Sequence, residues 1–211
     1  GSSVNFGLKP MKGGISLVLS THMNRIISLN EENQTVTVQP GMMGREYEAA
    51  LNMAPQLLGA SRTYTCGHFP QSFEFSSDGG WVLTLGSGQQ SSYYGDAADL
   101  VVCQEYVTPA GTFKTHPFPA SANGPRIDQF FIGSEGSFGI LVEVTMKVFR
   151  HMPSHSRRFA FIFPDWESGV NAVREISQGE FGMPSVMRIS DPEETDIGLK
   201  LYGVEGTPID T

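Results

Sequence analysis

Cysteine is scarce in this sequence, since Cys66 and Cys103 are its only two thiols in 211 residues. It contains no CxxC pair and no Cys/His spacing typical of zinc ligands, which argues against a disulfide framework and against a zinc or other metal site. We expect two ordinary buried thiols in a reducing compartment. Long apolar runs are also missing, so we expect neither a transmembrane segment nor a signal peptide.

Basic residues are also few. Fourteen Lys and Arg stand against 22 Asp and Glu, a formal net charge of −8, which argues against nucleic acid or an anionic membrane as partner. Hydrophobic residues make up 39% and aromatic residues 10%, enough for a packed core. The 24 glycines and 13 prolines indicate many turns and close backbone approaches.

Hydrophobic periodicity predicts an α+β chain of short elements. Strands are predicted at Ile15–Ser20, Arg25–Leu29, Gln34–Gln39, Leu100–Val107, Thr112–Thr115, Ile140–Phe149, Arg157–Phe163 and Ser185–Ile189. The apolar face of the longest strand carries Ile140, Val142, Val144, Met146 and Val148. Helices are predicted at Gly44–Met53 and after Asp165 as N-cap, and a short buried helix or a turn is predicted at Trp81–Leu85. The strand, helix and strand after Ser156 predict a second small α/β unit.

Three clusters of small residues are candidates for ligand contact: Gly1–Val4, Ser76–Gly88 and Gly133–Gly139. Glycine lets backbone amides approach a phosphate or a flat ring. None of the clusters is a P-loop or a GxGxxG turn, and any one of them alone is better explained as a simple turn. Glu135 is harder to explain in that way, because its tight glycine run is followed at once by a long apolar strand.

The histidines and arginines indicate less about function than the glycine clusters do. His22 and His68 lack a Ser/Asp or Cys partner at a suggestive spacing, so the sequence supports no hydrolase triad. Arg188 lies in the apolar stretch SVMRIS, where a cation must reach solvent or pair with an anion. That anion is either a carboxylate of the chain or a substrate phosphate or carboxylate, and the sequence leaves both open.

Several longer segments, taken in order, carry a family resemblance. They are GSSV at 1–4, HMNRIISLNEENQTVTVQPG at 22–41, GHFPQSFEFSSDGGW at 67–81 and GPRIDQFFIGSEGSFGILVEVTMKV at 124–148. From Gly1 to about Asp191 the chain resembles the flavin-linked oxidase family typified by vanillyl-alcohol oxidase and p-cresol methylhydroxylase. Within that family it is most similar to the alkylglycerone-phosphate synthases and their bacterial relatives.

The resemblance implies a PCMH-type FAD-binding domain at residues 1–155, whose first subdomain would precede Gly1, and the start of an α/β cap domain at 156–211. FAD is the implied cofactor, and we expect it to be held noncovalently, although His68 lies near a region where some relatives attach flavin. Arg188 is the implied catalytic residue, beside the flavin and the substrate phosphate. The implied cofactor-binding residues are Gly1, Ser2, Ser3, Val4, Gln71, Ser72, Phe73, Glu74, Phe75, Ser76, Ser77, Thr84, Leu85, Gly86, Ser87, Glu135, Gly136, Ser137, Phe138, Gly139, Ile140 and Leu141.

The implied activity is ether-lipid synthesis, in which an acyl group on dihydroxyacetone phosphate is exchanged for an alkyl group through a flavin N5 adduct. Two alternatives stay open: an FAD-dependent dehydrogenase of a 2-hydroxy acid such as D-lactate or glycolate, and a noncatalytic folded fragment without flavin. The family's catalytic tyrosine and histidine cluster would follow Thr211, so we expect this stretch alone to be inactive and to bind flavin weakly. We expect a small-molecule substrate and a cytoplasmic location, or a peroxisomal one for a eukaryotic synthase, and a homodimer stays open.

Overall fold

The computed structural model describes residues 7–118 and 120–204. The chain divides into two compact units, and the boundary between them in the sequence falls between His155 and Ser156. The first unit contains the strands β1 (Ile26–Asn30), β2 (Thr35–Val38), β3 (Tyr64–Thr65), β4 (Val101–Thr108), β5 (Gly111–Lys114), β6 (Ile140–Lys147) and β7 (Phe149–Arg150). Its helices are α1 (Gly44–Asn52), α2 (Ala54–Leu57), α3 (Asp78–Leu83), α4 (Ser91–Tyr94), α5 (Ala97–Leu100) and α6 (Ile127–Phe131). The second unit contains α7 (Trp166–Gln178) and α8 (Pro192–Tyr202).

A five-stranded antiparallel sheet forms the centre of the first unit, in the order β1-β2-β6-β4-β5. Two hairpins supply its edges. The β1–β2 turn is closed by Asn30, whose side-chain oxygen accepts a hydrogen bond from the Asn33 amide at 2.9 Å. In the β4–β5 hairpin Thr108 faces Gly111, so Pro109 and Ala110 form a two-residue loop. Strands β3 and β7 form a separate two-stranded ribbon.

The hydrophobic core of the described residues lies in the first unit. The inward side chains Val36 and Val38 of β2 pack with Val144 of β6, and all three are fully buried. Helix α1 covers the core with Tyr47 and Leu51, on one face as its periodicity predicts. Burying apolar side chains of this size contributes about 1.5–3 kcal/mol each, which makes this layer the main source of stability.

Most of the predicted elements of the first unit are confirmed. The strands β1, β2, β4, β5 and β6 and the helix α1 begin and end within two residues of the predicted bounds. Helix α1 stops before Pro55, which lies in the first turn of α2. The segment Trp81–Leu85 contributes the end of a short, largely buried helix, α3. Cys66 and Cys103 are free and buried, as expected.

Three predicted strands are wrong. Ile15–Ser20 is irregular and largely exposed up to a 3-10 turn at Leu19–Thr21, and Arg157–Phe163 and Ser185–Ile189 are irregular and form no strand pairing. A strand needs a neighbour to take its backbone hydrogen bonds, and no described segment pairs with these three. Apolar composition therefore predicted strands for which the described chain supplies no partner, and the second unit has two helices without a sheet.

The face of β6 also differs from the prediction. The alternation predicts Ile140 and Val142 on the same face as Val144, yet Ile140 is 45% exposed and Leu141 is buried instead. The pairing of β4 with β6 shifts register between Glu105 and Tyr106, which skips Val142. A bulge of one residue turns the side chains beyond it to the opposite face.

The second unit has well-capped helices but little buried surface. Asp165 accepts a hydrogen bond from the Ser168 amide at 2.7 Å and so caps α7, as predicted. Asp191 caps α8 in the same way through the Glu194 amide. Gly169 is the one fully buried residue among the described residues of this unit. None of the helices in the described parts of the chain is both long and apolar enough to cross a membrane.

Candidate functional site

Helix α3 connects two of the segments predicted to line the cofactor. Gln71–Ser77 leads into its N-terminus and Thr84–Ser87 follows its C-terminus. Ser77 caps the helix, because its hydroxyl oxygen accepts a hydrogen bond from the Gly80 amide at 3.3 Å. The short helix therefore fixes the separation between these two segments.

The third segment is fastened to the C-terminal end of the same helix. The Gly133 amide donates to the Val82 carbonyl and the Glu135 amide to the Leu83 carbonyl, each at 3.0 Å. Leu85 packs so closely on Gly133 that a Cβ atom there would lie 2.6 Å from its side chain. The structure thus brings Thr84–Ser87 and the start of 135–141 side by side, although about 50 residues separate them in sequence.

Left-handed backbone marks all three segments. Among the described residues, five that are not glycine have positive φ: Gln34, Ser72, Leu85, Glu135 and Glu180. Ser72 (57°), Leu85 (53°) and Glu135 (50°) fall one in each predicted cofactor segment. Such a conformation costs about 1–3 kcal/mol and tends to persist where a ligand site requires it. This grouping is the strongest local signal of a binding surface in the described chain.

The surface of these segments is made of backbone and apolar side chains. Phe75 is 72% exposed, Leu85 52% and Phe138 43%, while Gly136 has positive φ and only the Gly139 carbonyl oxygen, at 3.8 Å, near the position of a Cβ. The three segments contain no lysine or arginine. Phosphate groups bound there would be held by amide N–H groups, and a flat ring would lie on the exposed apolar side chains. This arrangement fits a dinucleotide with a ring system at one end.

A layer of aromatic rings supports the surface from below. Trp81 donates its indole N–H to the Ser76 hydroxyl at 2.8 Å and stacks on Phe73 with ring centroids 5.6 Å apart. The edge of His68 meets the same indole at 5.2 Å. These contacts hold the segment before α3 against the core.

His68 lies in this supporting layer and is 1% exposed. Neither ring nitrogen has a hydrogen-bond partner among the described residues, and both are shielded from solvent. Burial lowers the pKa of His68 to about 4, so the imidazole is neutral near pH 7. Noncovalent attachment of the flavin stays a prediction.

Asp78 is a feature that the sequence reasoning missed. It is completely buried at the first position of α3, and neither carboxyl oxygen has a hydrogen-bond partner among the described residues. Burial raises the pKa of Asp78 well above its ordinary value. The nearby Asp78 and Gly79 amides, which oppose that rise, donate to the carbonyls of Met42 and Pro40. In sequence SSDGG reads only as a helix start, so no signal marked this carboxyl as buried.

Gly1–Val4 and Arg188 are the remaining predicted parts of the site. Gly1–Val4 lies outside the described residues. Arg188 belongs to the second unit, where its guanidinium forms an ion pair with Glu194 and its side chain is 66% exposed. An exposed pair of this kind contributes little to stability, about 0–1 kcal/mol, so it leaves the arginine available for another anion. Its contact with substrate stays a prediction.

Comparison with known proteins places the chain in a family. Residues 1–116, more than half of the chain, match the family described as FAD binding domain, and the chain belongs to that family. Its fold is the PCMH-type FAD-binding fold, a mixture of helices and antiparallel sheet, and FAD is its cofactor. The resemblance, the fold class and the cofactor predicted from the sequence are thereby confirmed.

Among its relatives, the alkyldihydroxyacetonephosphate synthase of Caenorhabditis elegans is 37% identical over 205 residues, covering 95% of this chain and 33% of the relative. An uncharacterised FAD-linked oxidoreductase of Escherichia coli is 34% identical over 89% of this chain and 39% of its own length. A solved structure of an alkyldihydroxyacetonephosphate synthase superposes with a TM-score of 0.70 at 33% identity, covering 89% of this chain and 33% of that one. The chain therefore spans about a third of the length of these relatives.

Proposed function

We propose that this chain forms one wall of the FAD site of an enzyme that acts like alkyldihydroxyacetonephosphate synthase. The observation that carries the proposal is the grouping of Ser72, Leu85 and Glu135, three left-handed residues in segments that α3 holds together. The identity of 37% to a synthase over nearly the whole chain supports this choice of activity. We further propose that residues 1–155 are the FAD-binding part and that the cap domain begins at 156.

In this proposal the described residues bind and position, while FAD supplies the reactive chemistry. Amide groups of Gln71–Ser77 and Glu135–Leu141 hold the anionic parts of the cofactor, because no cation is present in these segments. Leu85, wedged against Gly133, keeps two of the segments in register. Arg188 binds the substrate phosphate, since its planar guanidinium can hold two phosphate oxygens at once.

A second candidate function has an observation of its own. The glycolate oxidase subunit GlcD of Bacillus subtilis is 26% identical over 212 residues, which covers 99% of this chain. That similarity favours an FAD-dependent dehydrogenase of a 2-hydroxy acid. In this case the guanidinium of Arg188 would hold the substrate carboxylate instead of a phosphate.

The visible spectrum of the whole protein tests both proposals. We expect a yellow protein with the absorption bands of oxidised flavin, and a colourless protein that takes up no FAD would contradict both. Anaerobic D-lactate or glycolate should bleach the colour only if the enzyme is a 2-hydroxy-acid dehydrogenase. A spectral change with acyl-dihydroxyacetone phosphate, and none with the hydroxy acids, is expected of a synthase.

The role of Arg188 can be separated from its ion pair. We expect Arg188→Ala to raise the substrate KM about tenfold or more while leaving FAD content unchanged, because one charge-assisted bidentate contact is lost. Glu194→Gln removes the partner and leaves the arginine, so it should change KM about twofold or less. Equal losses in the two variants would show that Arg188 serves only the ion pair with Glu194.

A further inference from the structure

The first unit contains an open cleft of about 530 Å³. Its size lies within the range of small-molecule sites, about 300–1,000 Å³. The lining residues are Gln34, Tyr93, Tyr94, Phe149, Arg150 and Met152. None of them belongs to the described cofactor segments.

The length of strand β6 separates the cleft from the GSEGSFG run of the candidate FAD site. The strand starts at Ile140, directly after the GSEGSFG run, and Phe149 of the cleft follows its far end. At about 3.3 Å per residue in an extended chain, these two residues lie about 30 Å apart. A ligand in the cleft would therefore not be in contact with the glycine run.

Arg150 gives the cleft a positive charge that nothing in the described chain neutralises. Its side chain is exposed, and no carboxylate of the described residues pairs with it. The chain has 22 acidic residues against 14 basic ones, so the lack of a carboxylate beside Arg150 is not due to a shortage of acidic residues. Arg62 and Glu31 also lie near the Tyr64 hydroxyl, but the carboxylate of Glu31 is taken up by hydrogen bonds from Ser61 and Tyr64. A guanidinium of this kind is suited to a carboxylate.

Aromatic rings and a thioether form the rest of the wall. Tyr94 packs on Phe149 with centroids 4.5 Å apart, and Tyr93 stands edge-on to Tyr94 at 4.8 Å. A Cβ on Gly67 would lie within 2.9 Å of both Tyr94 and Phe149, so these two rings pack closely against the backbone at Gly67. Tyr93 is 56% exposed and Met152 52% exposed, which leaves apolar surface open beside the cation.

Gln34 adds a neutral polar group. Its φ is 51°, and its carbonyl accepts a hydrogen bond from the Val148 amide at 2.9 Å. Gln34 is one of the lining residues, and its side-chain amide is a hydrogen-bond donor suited to a carboxylate oxygen. One cation, one amide and a set of aromatic surfaces match a flat apolar ligand with a single anionic end.

We propose that this cleft is a binding site for a small aromatic carboxylate. The carboxylate is held by Arg150 and Gln34, and the ring lies on Tyr93 and Met152. Offset contact between aromatic rings and the sulfur–aromatic contact stabilise the ring, while the paired charges orient it. The residues that line it are different from those proposed to bind FAD.

Methyl NMR of the 211-residue chain, with carbon-13 in the methionine methyl groups, tests the proposal. Met152 is assigned with Met152→Leu. Benzoate should shift the Met152 signal to saturation, while benzyl alcohol, which keeps the ring, and acetate, which keeps the charge, should bind at least about tenfold more weakly. No saturable shift with benzoate, or equal binding of acetate, would overturn the proposal.

Variants locate the contact. Arg150→Ala and Tyr93→Ala should each weaken benzoate binding by about tenfold, and Arg150→Lys should fall between Arg150→Ala and the unchanged chain because it keeps the charge without the fork. Arg62→Ala removes a neighbouring cation that does not line the cleft and should change affinity about twofold or less. Equal losses in Arg62→Ala and Arg150→Ala would reduce the site to a general basic surface and contradict the proposal.

Discussion

At the scale of single residues, ionisable groups divide into those that burial disfavours and those that hydrogen bonds favour. Asp78 begins α3 fully buried, and burial raises the pKa of its carboxyl. Glu31 is the opposite case, because hydrogen bonds from the backbone and hydroxyl of Ser61 and from the Tyr64 hydroxyl lower the pKa of its carboxyl. The two groups should give opposite dependences of stability on pH.

For Asp78 the folded state holds the proton more tightly than the unfolded state. Its contribution to stability is complete below the unfolded pKa of about 3.9 and is lost as pH rises through the higher folded pKa. Asp78→Asn does not titrate, so we expect it to be more stable than the unchanged chain near neutral pH, by about 1–3 kcal/mol, and similar near pH 4. Thermal unfolding across this pH range measures the difference, and a gain that does not depend on pH would be inconsistent with a buried carboxyl.

For Glu31 the pH dependence of stability has the opposite sign. The carboxylate contributes stability above the unfolded pKa of about 4.3, and this contribution is lost as pH falls through the lower folded pKa. We expect Glu31→Gln to lower the melting temperature at neutral pH and to have little effect in acid. Thermal unfolding in the same pH series measures this. If the loss were as large in acid as at neutral pH, the hydrogen bonds to Ser61 and Tyr64 would not explain it.

At the scale of elements, α3 positions the candidate site, and its two adjacent glycines differ in surroundings. A Cβ on Gly79 would lie 2.3 Å from the Pro40 Cβ and 2.7 Å from the Pro40 carbonyl oxygen. A Cβ on Gly80 would have only the Ser77 hydroxyl nearby, at 3.3 Å. Close packing of backbone on backbone therefore requires glycine at the first position and not at the second.

Alanine substitutions measure this difference. Gly79→Ala should destabilise the chain by about 1–3 kcal/mol through overpacking against Pro40. Gly80→Ala keeps the helix and should be close to neutral or stabilising by up to about 1 kcal/mol, because alanine favours the helical state. Chemical denaturation of both variants gives the two values. Equal effects would show that Pro40 does not press on α3.

Local pattern predicted the elements that carry their own signal. Val36 and Val38 alternate in β2, and Pro55 ended α1 because proline cannot continue a helix. Pattern failed where a partner decides the outcome. Arg157–Phe163 has the composition of a strand but no described neighbour, and the bulge at Val142 depends on its pairing with β4.

The candidate site was predictable only in part. Motif order predicted the three described segments, and their contact with FAD stays a prediction. The sequence could not show that Leu85 lies against Gly133, since that contact depends on the fold of the 50 residues between them. The burial of His68 and Asp78 could not be predicted either, because hydrophobic periodicity does not indicate which polar residues are buried.

At the scale of the whole molecule, the core belongs to one unit. Every buried residue of the hydrophobic core described lies between Val36 and Val148. In the second unit Phe159, Phe161 and Phe181 are each more than 70% exposed. Buried apolar surface is the main stabilising contribution in folding, so the two units should differ strongly in stability.

Separate expression of the two units tests this difference. We expect residues 1–155 to unfold cooperatively on heating and to protect their sheet amides from hydrogen exchange. Residues 156–211 alone should show no cooperative transition, because two capped helices with one buried residue cannot offset the loss of chain entropy. A sharp transition in the second unit would mean that its apolar residues form a core of their own.

We propose that FAD lies on the segments joined by α3. Ser137 is exposed in the GSEGSFG run, and Thr112 is exposed on the edge strand β5, so tryptophan should be tolerated by the fold at either position. The most direct test is the FAD affinity of the whole protein carrying each change, measured by flavin fluorescence. We predict that Ser137→Trp weakens FAD binding about tenfold or more and that Thr112→Trp leaves it unchanged. Unchanged affinity in Ser137→Trp would contradict the claim.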